Sequence, residues 1–166
     1  MRWIWFPLKA VFFSLLAAGA GGMAAGVAFG LTGFDFLKFA EHPQNSVLAF
    51  GLIVVPWVLL SGLVGGGFGM LLGFVPTFLL GSTLFFLHKL RRVHLLVWMA
   101  AGAITGVVIA AWDPIGLSPS GGQTDMRLQW GAAWVAGGAV AMATYWLLVT
   151  RIFSPLPKEQ SEPAGA

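Results

Sequence analysis

Residues 46–87 read SVLAFGLIVVPWVLLSGLVGGGFGMLLGFVPTFLLGSTLFFL, a run of 42 residues without one charged side chain. As a single helix it would be about 63 Å long, twice the hydrocarbon core of a bilayer. A reversal is expected, and Gly65, Gly66 and Gly67 near the middle of the run supply turn chemistry. Dividing the run there leaves segments of about 19 and 20 residues, each long enough to span.

The rest of the chain has the same character. Of 166 residues, 58% are hydrophobic and 9% charged, with a mean hydropathy of +0.85, whereas a soluble domain carries about 25% charged residues. Three further apolar stretches occupy residues 11–31, 93–112 and 130–150. The sequence therefore predicts an all-α integral membrane protein, a bundle of five transmembrane helices. One membrane domain covers residues 1–153, and a tail rich in Pro, Glu, Lys and Ser, residues 154–166, is expected to be disordered. At the amino terminus, Arg2 and Lys9 precede an apolar segment containing Ala18, Gly19 and Ala20, the ingredients of a cleavable signal. Apolar character continues to Leu31, which suits a spanning helix better, and Trp3, Trp5 and Phe6 ahead of it have the character of an interfacial anchor.

Charge complicates the topology. With a hairpin at Gly65 to Gly67, one side of the membrane holds Arg2, Lys9 and Arg127 and the other holds Lys38, Lys89, Arg91, Arg92, Arg151 and Lys158, six basic residues to three. That places the carboxyl terminus in the cytoplasm and the amino terminus outside. If residues 46–87 cross only once, as one span plus a re-entrant segment, the bias rises to seven against two with both termini inside. Segment length favours five crossings and basic residues favour four. A re-entrant segment leaves non-helical backbone at membrane depth, which carries a heavy structural demand, so the hairpin is the expectation. In either arrangement Pro56 and Pro76 are expected to kink their segments.

Small residues recur at spacing four. Ser14, Ala18, Gly22, Gly26 and Gly30 make one ridge, and Gly65, Gly69, Gly73, Thr77 and Gly81 make another. Shorter ridges are Gly102, Gly106 and Ala110, and Ala133, Gly137 and Ala141. Lipid tails are as apolar as leucine, so membrane helices associate through close van der Waals approach, which small residues permit. These ridges are the expected packing faces. One of them is expected to serve a partner subunit.

Chemical groups are sparse. No formally charged side chain falls deep in a span, which weighs against a proton- or ion-coupled pump. Ser61, Thr77, Ser82, Thr83, Thr105, Thr144 and Tyr145 remain as possible linings of an uncoupled path. Asp35, Asp113 and Asp125 lie in connectors, where an intramembrane hydrolase would need a carboxylate pair at one depth. His88 and His94 flank the basic cluster Lys89, Arg91 and Arg92, where interfacial histidines explain them more simply than metal or haem ligation. The cluster itself orients the loop, and it is also a candidate site for anionic lipid headgroups. With no cysteine there is no disulfide and no thiolate ligand, and nothing in the residue pattern implies a cofactor. Although the net charge is +3, no basic run is interleaved with aromatics, so nucleic acid is not an expected partner.

These features favour a non-enzymatic accessory or assembly protein of a bacterial-type inner membrane, packing through its small-residue faces with a membrane-protein partner or a second copy. Alternatives from other classes are a small uncoupled transporter or channel and a lipid-handling intramembrane enzyme.

Overall fold

The computed structural model describes residues 5–32, 47–91, 93–112 and 124–152. They form α1 (Trp5–Thr32), α2 (Val47–Arg91), α3 (Leu95–Trp112) and α4 (Thr124–Leu147), the last continued by a π-helical turn, Leu148–Ile152. Among the described residues four helices are long and apolar enough to cross a membrane, and a fifth is not confirmed. The expected hairpin does not form: Gly65, Gly66 and Gly67 lie inside α2, a helix of 45 residues that also runs through Pro56 and Pro76. No re-entrant segment replaces it, because every residue from 47 to 91 is helical.

The correction has a physical reason. A turn at Gly65 to Gly67 would end the helix there and carry Gly69 and Gly73 away from α1, whereas an unbroken helix keeps Gly65, Gly69 and Gly73 on one seam. The missing side chains serve instead to bring another helix close: Gly65 and Gly69 sit directly against the backbone of Gly22 and Gly26. Glycine lowers helix propensity by about 1 kcal/mol in water, but tertiary contact at close range overrides so small a preference. At Pro56 and Pro76 the helix loses two amide donors, leaving the carbonyls of Leu52 and Leu72 without their usual intrahelical partners.

Contacts along the helices fix their order and direction. Gly30 packs on Val58 and Ser61, Gly26 on Ser61 and Gly62, and Gly22 on Gly65 and Gly69, so α1 and α2 are antiparallel. On another side of α1, Gly21 meets Gly137 and Ala141 while Phe29 meets Trp130, so α4 is also antiparallel to it. Gly102 against Gly138, and Gly106 against Trp134, align α3 antiparallel to α4. The spatial order is α2, α1, α4, α3. Helices α2 and α3 touch little although only three residues separate them.

One end of the bundle therefore gathers the start of α1, the end of α2, the start of α3 and the end of α4. Lys9, Lys89, Arg91 and Arg151 occupy helix positions at this end, and Arg127 sits at the start of α4 at the other. That distribution follows the charge count for a single crossing of residues 46–87. Arg2, Lys38, Arg92 and Lys158 lie outside the described residues, as do Asp35, Asp113 and the tail.

A cysteine introduced at Gly67, where a Cβ meets nothing within 4 Å, tests the unbroken helix in a chain with no native cysteine. In intact vesicles, Gly67→Cys is expected to resist a membrane-impermeant maleimide from either side and to react only after denaturation. Labelling from one face of the intact membrane would restore the hairpin.

Candidate functional site

The spacing-four ridges meet inside the chain. Helix α1 is a hub with two small-residue faces, one for each neighbour. Toward α2, Ala18, Gly22, Gly26 and Gly30 face Gly65, Gly69, Gly73, Ser61 and Gly62. A Cβ at Gly69 would lie 2.5 Å from the Gly22 Cα, and a Cβ at Gly22 would overlap the Gly65 carbonyl oxygen. Real Cβ atoms do not approach so closely, so these positions require glycine on steric grounds. Toward α4, Gly21 and Ala25 meet Gly137, where a Cβ would stand 2.8 Å from the Ala25 methyl. The α3–α4 seam repeats the device with Gly102 and Gly106 against Gly138, Trp134 and Val135.

Two expected ridge members belong elsewhere. Ser14 is fully buried, with its hydroxyl donating to the Ala10 carbonyl at 2.7 Å, and it lies beside Tyr145 of α4. Gly81 faces the Tyr145 ring, whose atoms begin 2.9 Å from where a Cβ would be. Both define an aromatic cluster that sequence reasoning missed. Its centre is Trp98, with no exposed surface, stacked on Tyr145 at 6.0 Å between centroids and met edge-on by His88 at 6.4 Å. His88 Nδ1 donates to the Val93 carbonyl at 3.0 Å, closing the short connection between α2 and α3. The Tyr145 hydroxyl is within hydrogen-bonding reach of Ser82 and Ser14, so one phenol ties together α1, α2 and α4. The indole N–H groups of Trp98 and Trp146 are buried without a hydrogen-bond partner. A phenol, an indole and an imidazole spaced over 57 residues leave no periodic signal, which is why the cluster is invisible in sequence.

Three of the hydroxyls named as linings of an uncoupled path bond within their own helices. Thr83, Thr105 and Thr144 donate to the carbonyls of Leu79, Ala101 and Val140, each four residues back, at 2.8 to 2.9 Å. Such back-bonding satisfies a hydroxyl within its own helix. Of the hydroxyl residues so named, only Thr77 and Thr105 border the cavity between the four helices, which measures about 30 Å³, room for a water or two. Lys89 and Arg91 fall in the last turn of α2, and His94 is exposed just before α3. Among the described residues no three His, Asp or Glu side chains are grouped to hold a metal ion.

A second, larger space opens sideways between α1, α2 and α4. It is a groove of about 410 Å³ with a floor of Gly22, Gly26 and Gly65 and walls that include Trp57, Phe68, Trp130 and Trp134. Phe29 and Trp130 meet edge to face at 5.7 Å, and Trp130 and Trp134 at 5.8 Å, so part of the wall is a row of interlocked rings.

Among the described residues, four apolar helices long enough to span make this a polytopic transmembrane protein. Compared with protein-family models, curated proteins and solved structures, the chain matches none of them.

The seams and the cluster respond differently to substitution. Gly22→Leu and Gly102→Leu are expected to destabilise the bundle by about 3 kcal/mol or more, since backbone faces backbone and nothing flexible can yield. Gly67→Leu should remain within about 0.5 kcal/mol of wild type. Tyr145→Phe, which removes only the hydroxyl, is expected to cost about 0.6 to 1 kcal/mol. Unfolding by dodecyl sulfate in mixed micelles, followed by circular dichroism, measures all four.

Proposed function

We propose that the chain is a non-enzymatic accessory or assembly protein of a membrane, and that α2 is the element it offers to a partner membrane protein. The observation that carries this reading is the mismatch between α2 and everything that could cover it. Its apolar part, Gly51–His88, is 38 residues, about 57 Å as a helix, against a hydrocarbon core of about 30 Å. Of its most apolar window only 17% is buried within the chain. Leu52, Leu59, Leu63, Leu71, Leu79 and Phe86 are each exposed by more than half. Lipid covers part of that surface, and a neighbouring protein with its own apolar flank covers the remainder.

The surface differs from the one expected. Small-residue ridges are consumed by α1, α2, α3 and α4 themselves, so the partner contact rests on large side chains of α2. Basic residues at helix positions around the Lys89 end favour that end, and with it both termini, on the cytoplasmic side of a bacterial-type inner membrane.

A small uncoupled channel is the second reading, favoured by the cavity between the four helices with Thr77 and Thr105 at its edge. It requires α2 and α3 to part, because room for a water or two passes no solute.

Photo-crosslinking amino acids at Leu63 and Leu71, introduced at native expression levels, separate the two readings. The accessory role predicts one discrete protein adduct from both positions and copurification of that protein at fixed stoichiometry. Adducts to lipid alone, with a solitary chain in mild detergent and solute flux in liposomes, would replace it with the channel.

A further inference from the structure

We infer that the lateral groove between α1, α2 and α4 is a phospholipid site, holding one acyl chain of an anionic diacyl lipid with the headgroup beside Arg127. Depth is the first argument. From Trp57 to Phe68 the α2 wall of the groove advances eleven residues, about 16 Å at 1.5 Å per residue. Half of a hydrocarbon core is about 15 Å. The groove therefore has the reach of a single leaflet and stops near the bilayer centre, where Phe68 and the Gly22–Gly65 contact close it.

Its chemistry changes along that reach as a lipid's does. The inner part is glycine backbone with Val64 and Phe68, apolar and smooth, suited to methylenes. At the outer end stand Trp57 and Trp130, amphipathic rings of the kind that settle at the boundary between acyl chains and headgroups. One turn further out on the same stripe of α4 comes Arg127, three residues before Trp130 and seven before Trp134, and it is exposed. Arg127 thus stands on the headgroup side of the aromatic rim formed by Trp57 and Trp130. A cation at that level favours an anionic headgroup over a zwitterionic one by about fivefold.

This site lies at the opposite end of the bundle from Lys89 and Arg91, members of the cluster whose charge alone singled it out for lipid. It also stands independently of the partner proposed for α2, because the test uses the purified chain in vesicles with no other protein. Phosphatidylglycerol and phosphatidylcholine carrying brominated acyl chains quench tryptophans that they touch, and Trp57, Trp130 and Trp134 border the groove. At equal mole fractions, the brominated anionic lipid is expected to associate about fivefold more tightly than the zwitterionic one. R127Q should bring the ratio close to one, and V64F, which narrows the groove, should reduce quenching by both lipids while circular dichroism shows the helices intact. Equal quenching by the two lipids in the wild type would overturn the proposal, as would a preference that survives R127Q. So would a photo-crosslinker at Val64 that, in the same vesicles, captures a second copy of the chain instead of lipid.

Discussion

Helix α1 approaches α2 so closely that the Gly22 and Gly26 backbones rest on those of Gly65, Gly69 and Ser61. In water, apolar burial would hold two such helices together with side chains between them. In a bilayer that force is absent between helices, and attraction must come from many short-range contacts that larger residues would hold apart. Glycine at these crossing points is thus the condition for association. The α1–α4 and α3–α4 seams obey the same condition through Gly21, Gly137, Gly138, Gly102 and Gly106. Given three such seams, the order of helices follows with little further information.

The same constraint explains what was legible in the sequence. Class was evident from composition, and spacing four is the repeat of one helix side. Ala18, Gly22, Gly26, Gly30, Gly65, Gly69 and Gly73 all reach the α1–α2 seam. Gly65 and Gly66 read as turn residues because a turn and a close crossing ask for the same residue. Length argued for a turn, while the basic residues argued for a single crossing. Contact with α1 runs along both halves of the segment, and only an unbroken helix keeps Ser61, Gly65, Gly69 and Gly73 on one seam.

Other features depend on residues distant in sequence. Gly21 and Gly138 adjoin ridge members that were noted, yet they serve different neighbours, and a one-dimensional pattern does not say which side of a helix meets which partner. Trp98, Tyr145 and His88 come from three helices and share no spacing. The lateral groove is harder still to foresee: it exists because α1 lies tightly against both α2 and α4 while those two barely meet beyond Gly81 and Tyr145. Its aromatic wall draws on Phe29, Trp57, Trp130 and Trp134, scattered over the chain.

The hub position of α1 also has a consequence in time. Synthesis delivers α1 first and α4 last, yet each seam of α1 can close only when its partner has been made. The α2 seam forms early, from the next helix out of the ribosome. Gly21 and Ala25, on the other side, wait through the production of α2 and α3 before Gly137 arrives. Half of the protein's central contact thus stands open throughout biogenesis, filled for that interval by lipid or by whatever insertion factor shelters the growing chain.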